Sequence, residues 1–242
     1  MPSFPYDPTL IAAAGNPPDS VADVLETMRT IDAVCVDGDG LKWFNVLYMQ
    51  VTQAVQVRIA AGGFTDPAWL GELDVQFAKL YFNALAASLQ GAACPECWRA
   101  MFEVRDHIRL ARIQFALAGV NAHINHDLPA AIVATCRATG TVPDRGTPQC
   151  LDYTNLNATL DSLIEGAKKT LQVRLLGDAL AAASYLENTI AGWGVKAARE
   201  KSWTNSQVLW HLQGSSMLSG GFEDSLDGLT TVVSKSLLVQ VP

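Results

Sequence analysis

Apolar residues recur at three- and four-residue spacing along nearly the whole of this 242-residue chain, and almost nowhere do they alternate with polar ones. That period lays them along one stripe of an α-helix, whereas a half-buried strand would need strict alternation. Eight segments carry it: residues 22–34, 40–61, 67–90, 96–124, 129–139, 151–176, 178–203 and 206–213. The expected fold is therefore all-α, a single globular domain over residues 1–242 with about eight helices around an apolar pocket. Local punctuation agrees. Gly62-Gly63 closes one segment, Asp66 stands before Pro67 at the start of the next, and Gly140 ends the short helix opened at Pro129. Asp37-Gly38-Asp39-Gly40 lacks the remainder of a calcium loop and reads as a helix N-cap. Residues 1–17 read as an extended segment. Residues 214–242, rich in serine and glycine and then β-branched, read as a tail that wraps the surface, covers a partner subunit or adds a short strand.

Charge and hydropathy exclude several functions. The net charge of -7 is spread along the chain with no basic cluster to meet phosphates, so no nucleic-acid partner is expected. No apolar run reaches the roughly 18 to 20 residues of a membrane span. Only 17% of residues are charged, and the chain carries six tryptophans. That balance points to a large apolar cavity, or to a sizeable subunit interface such as a homodimer would use.

The five cysteines leave the compartment open. Cys94 and Cys97 form C-P-E-C, but no second close pair completes a zinc ribbon. A Cys136–Cys150 disulfide would close the loop between two helices and be worth roughly 3 kcal/mol if unstrained. Together with the sequon Asn157-Ala158-Thr159 it favours the secretory lumen or the exterior, a leader having been removed ahead of MPSFPYDPT. The alternative is a cytoplasmic protein with reduced thiols.

The stretch GVNAHINHDL, residues 119–128, sets five polar side chains into one of the most apolar parts of the chain. At about 100° per residue, His123, His126 and Asp127 share one helix face and Asn121 and Asn125 another. Projected backwards, Arg105, Arg109 and Arg112 join the histidine face, and His107 and Gln114 the asparagine face. As a metal site, His123, His126 and Asp127, with His211 from a later helix, would serve a hydrolase, but the spacing is not H-E-x-x-H. As structure, Asp127 would cap the helix beginning at Pro129, His123 would bond to Asp127 at i, i+4, and the asparagines would tie neighbouring helices together.

Four stretches, DGLKWFNVLYMQVT, LDVQFAKLYFNAL, GVNAHINHDLPAAI and AAREKSW, resemble in that order the helical family known as domain of unknown function 5995, over roughly residues 37–212. The resemblance implies an all-helical fold and no particular chemistry, and His126 stands where it implies an apolar or small residue. More loosely, the chain is similar to fungal hetero-Diels-Alderases of tropolone-sesquiterpene pathways, which join an ortho-quinone methide to humulene. That resemblance implies a pericyclase of specialised, meroterpenoid metabolism with no cofactor and no metal, its partners being a quinone methide and a terpene. Catalysis would come from near-attack geometry and from hydrogen bonds to the quinone methide oxygen. Tyr48, Asn45, Tyr81 and His123 would orient the oxygenated reactant, while Trp43, Phe44, Asn121 and Trp203 would bind substrate. A metal-dependent hydrolase and a secreted carrier of apolar ligands are the competing expectations.

Overall fold

Helical periodicity becomes helix along most of the described chain. The computed structural model describes residues 3–157, 160 and 194–240. In order these form α1 (Asp7–Ala14), α2 (Val21–Val34), α3 (Gly40–Ala60), α4 (Pro67–Leu89), α5 (Glu96–Phe102), α6 (Arg112–Ala122), a π-helical turn (His123–Asp127) and α7 (Leu128–Thr139). They continue with α8 (residues 148–157), α9 (Val195–Leu212) and α10 (Ser216–Leu237). No strand occurs among the described residues, and none of their helices is long and apolar enough to cross a membrane. The helical pattern over 161–193 and the sequon positions Ala158 and Thr159 lie outside the described residues.

The caps act as the sequence implies. Asp39 accepts from the Leu41 N–H and Asp66 from the Trp69 N–H, each at 3.0 Å. Each satisfies one of the donors that a helix N-terminus leaves unpaired. Gly62 and Gly140 end their helices with φ at 68°, a region that costs a residue with a Cβ. α3 and α6 then pack by exchanging an aromatic ring for a missing side chain. A Cβ on Gly40 would meet the Phe115 ring at 2.3 Å, and one on Gly119 would meet the Phe44 ring at 2.4 Å. Both helices thus approach closely at two points without a void.

Two apolar clusters result. The first gathers Leu10, Leu25, Met28, Ile31, Phe44, Tyr81, Trp98 and Phe102 with their neighbours from α1 to α6. The second gathers Val55, Trp69, Leu70, Ile132, Tyr153 and Trp203, where α7, α8 and α9 meet the end of α3 and the start of α4. Between them, along α3 and α4, runs an apolar cleft.

Several expectations are corrected. The segment 96–124 is broken after α5, because Arg105 turns inward to Asp7 and Asp39 and its carbonyl accepts from the Gly40 N–H at 2.6 Å. Arg105 is therefore not on the histidine face. The N-terminal segment contains α1, and the 214–242 tail is mostly the helix α10. Its serines and threonines are poor helix formers, yet Asn121 donates to the Thr230 carbonyl and Ser234 hydroxyl, and Gln114 to the Leu237 and Val239 carbonyls. Tertiary bonds override propensity there. Residues 195–212 form one helix through Trp203 and Ser206. Finally, Cys136 and Cys150 are free, as are the other three cysteines. The Cys136 thiol faces Thr141 and Trp69, that of Cys150 the Gly146 backbone and Thr154, so each is engaged elsewhere. Asn157 is buried with its carbonyl oxygen held by Arg199 Nε at 2.7 Å, which removes the sequon as support for secretion.

Candidate functional site

Pro129 explains the local backbone of HINHD. Proline has no N–H to give to the carbonyl four residues back, and just before it the ladder widens by one residue. The Leu128 N–H reaches the His123 carbonyl, an i to i+5 bond. The Ile124 carbonyl, which an α-helix would pair with Leu128, instead accepts from the Ser202 hydroxyl of α9 at 2.6 Å. Asp127 keeps helical dihedrals through this turn and caps nothing, contrary to expectation. Its carboxylate is occupied differently: Oδ2 accepts from Trp98 Nε1 and His123 Nδ1, both at 2.9 Å, and Oδ1 from His126 Nδ1 at 2.7 Å. Burial would favour the neutral acid, but the two histidine bonds outweigh it and hold Asp127 below the usual carboxylate range.

Each histidine responds to its own surroundings. His123 is 2% exposed, stacked on Phe77 with ring centroids 3.4 Å apart and edge-on to Tyr48 at 4.4 Å. Burial lowers its pKa by more than Asp127 raises it, so the ring stays neutral. With Nδ1–H donated to an ionised Asp127, Nε2 carries the lone pair. That atom is buried and has no partner among the described residues. For His126, burial is outweighed by Asp127, Asp227 and Glu223, and its pKa rises.

His123 lines the cleft between the two clusters, a pocket of about 90 Å³. Its walls are Phe44, Leu47, Tyr48, Val51 and Val55 of α3, Leu70, Leu73, Asp74 and Phe77 of α4, and Val120, Ile124, Leu128, Leu156, Leu160, Val195 and Arg199. Four polar groups interrupt this apolar lining. Burial, then the nearby Asp74 and Asp127, keep Tyr48 a phenol well beyond its ordinary range, the neighbouring Thr52 hydroxyl offsetting part of the effect, and the Tyr48 hydroxyl makes no well-formed hydrogen bond among the described residues. Burial pushes the Asp74 carboxyl up to about 7, the Thr52 hydroxyl offsetting part of the effect, and Oδ2 is likewise unpaired. Arg199 bonds to Asn157 Oδ1 and the Tyr153 carbonyl and lies over the Tyr153 ring, but no carboxylate pairs with it among the described residues. The pocket thus offers one acceptor, two O–H donors and a buried cation.

Of the residues singled out from sequence, Tyr48, His123 and Phe44 line this pocket. Tyr81 stands behind them, edge-on to Phe44, its hydroxyl without a partner among the described residues. The other four lie elsewhere. Asn45 donates to the Met28 carbonyl, Trp43 to the Asp37 carbonyl, Asn121 ties α6 to α10, and Trp203 packs on Trp69 and Tyr153. His123, His126 and Asp127 do meet, but as a carboxylate between two imidazoles, each Nδ1 being spent on it. His211 is exposed near the end of α9. Asp74, Phe77 and Arg199 were missed. The signal for the first was present: Asp74 sits on the stripe Leu70, Phe77, Tyr81, where an acid on an apolar face calls for a reason.

Fold and site together define an all-helical protein with a buried histidine–aspartate pair on an apolar pocket. The chain belongs to DUF5995, a family of unknown function, whose model matches residues 21–240. No curated protein and no solved structure matches it.

Proposed function

We propose that this protein binds a small, narrow, largely apolar substrate carrying a carbonyl and a carboxylate, and moves a proton at the carbon beside the carbonyl. The observation that supports this most is His123 Nε2, buried on a pocket wall without a partner among the described residues while Nδ1 is held by Asp127. A neutral imidazole so fixed is a proton acceptor, and a positioned base contributes about 10² to 10⁴ in rate. Tyr48 and the protonated form of Asp74 would donate to the carbonyl oxygen as charge develops there. Arg199 would pair with the carboxylate.

Intermolecular hetero-Diels-Alder cycloaddition is a narrower use of the same donors. It needs a quinone methide and a terpene held side by side, two reactants in a pocket of about 90 Å³. A single slender substrate fits better. The test is deuterium exchange at C3 of 2-oxohexanoate in D2O, followed by NMR against a protein-free control. Wild type should accelerate exchange, and His123→Gln should lose about 10² to 10⁴ of that acceleration while retaining helical circular dichroism. Equal exchange rates in the two proteins would remove the proposal.

A further inference from the structure

On the other side of Asp127 from the pocket, three side chains converge that the reading above does not use. Cys97 lies in the first turn of α5, His126 in the π-helical turn and Asp227 on α10. A ring nitrogen of His126, the Cys97 sulfur and an Asp227 carboxylate oxygen all fall within 4.8 Å of one another, a separation that a small inward shift would bring to the spacing of ligands around one ion. We propose that Cys97, His126 and Asp227 bind a divalent transition metal ion of the zinc class.

The donor set is one thiolate, one imidazole and one carboxylate, which suits zinc and disfavours magnesium or calcium. The supporting shell is already built. His126 gives Nδ1–H to the buried Asp127 at 2.7 Å, leaving Nε2 to bind, and an imidazole backed by a carboxylate is the usual arrangement behind a metal-bound histidine. Asp227 is fixed by the backbone N–H groups of Glu96 and Cys97 at 2.8 and 2.9 Å. Each oxygen keeps a second lone pair for a cation. Cys97 is fully buried, but His126 and Asp227 are only half-buried, so water can take the fourth position. Glu223, one turn before Asp227, adds negative charge beside His126. On binding, the Cys97 thiol proton and any proton on His126 Nε2 pass to solvent, and sulfur and nitrogen donate their pairs to the ion. The ion would clamp α5, the π turn and α10 together.

The test uses the full chain stripped with EDTA and titrated with Zn²⁺ against a chromogenic chelator, and separately with Co²⁺. One equivalent should bind per chain, and Co²⁺ should give a thiolate charge-transfer band with intense tetrahedral visible bands. His126→Ala and Asp227→Asn should each weaken Zn²⁺ at least tenfold, Cys97→Ser should abolish the charge-transfer band, and Cys94→Ser should leave it. If Cys97→Ser does not fold, His126→Ala, at a half-buried position, still decides. Absence of a one-to-one site, unchanged affinity in His126→Ala, or a band that depends on Cys94 would overturn the assignment. None of these readouts depends on the pocket.

Discussion

Two buried polar clusters lie along α3, and they differ in whether their groups are paired. At its N-terminus Asp39 and Arg105, both 0% exposed, are joined by Nε to Oδ1 at 3.2 Å and Nη2 to Oδ2 at 2.8 Å. Asp7, the Tyr6 hydroxyl and the Leu41 N–H complete the set, and Phe4 covers the guanidinium. Of these groups only Arg105 Nη1 lacks a partner among the described residues. Two turns further on, Tyr48, Asp74 and His123 each present to the pocket a buried atom that has no partner among the described residues. Both clusters are desolvated, but among the described residues the second leaves three side chains with an unpaired atom and the first only Arg105 Nη1. Native proteins tolerate few such orphans, and each calls for a reason. The paired cluster reads as architecture and the unpaired one as a site.

The largest expected effect breaks the paired cluster. Arg105→Ala leaves the Asp39 and Asp7 carboxyls without their cation where there is little solvent, and should cost about 3 to 5 kcal/mol. Urea denaturation followed by circular dichroism measures it. A loss under 1 kcal/mol would mean that the pairing contributes little and that the contrast is not one of stability.

The unpaired cluster should respond with the opposite sign. In the unfolded chain the Asp74 carboxyl ionises near pH 4, while in the folded protein it holds its proton up to about 7. Between those values the folded state binds more protons, so its contribution to stability is complete below about pH 4 and lost as pH rises through 7. The difference is on the order of 4 kcal/mol. Asp74→Asn abolishes that slope, so the variant should be the more stable protein at pH 8 and gain nothing at pH 4. Parallel stability curves for wild type and variant from pH 4 to 8 would show that Asp74 is paired after all.

The contrast also explains what could be read from sequence. Caps at Asp39 and Asp66, the long apolar stripes of α3 and α4, and the bond from His123 to Asp127 are local, so spacing alone gives them. Gln114 and Asn121, assigned to one face, do both reach α10. What spacing misses is decided by partners far along the chain. The break after α5 depends on Asp7 and Asp39, 98 and 66 residues from Arg105. The π-helical turn uses Ser202, 78 residues from Ile124. Tyr48 and His123 were legible because aromatic and histidine residues draw attention on an apolar stripe. Asp74 was passed over because an aspartate two residues after Glu72 reads as solvated until its face is phased against Leu70 and Phe77.

The smallest effect is the sharpest comparison, because it makes the same substitution once in each cluster. Tyr6→Phe removes a hydroxyl that donates to Asp39 Oδ2 at 3.0 Å and accepts from the Val36 N–H at 3.4 Å. A hydrogen bond to a charged group is worth about 1.5 to 3 kcal/mol when fully buried, and Tyr6 is half-buried, so a loss of about 1.5 kcal/mol is expected. Tyr48→Phe removes a hydroxyl that has no partner among the described residues, and the volume is otherwise conserved. Deleting an unpaired buried polar atom is neutral or slightly stabilising, so the melting temperature should hold or rise while exchange on 2-oxohexanoate slows. If instead Tyr48→Phe destabilises as much as Tyr6→Phe and leaves exchange unchanged, Tyr48 belongs with the architecture, and the pocket loses its donor.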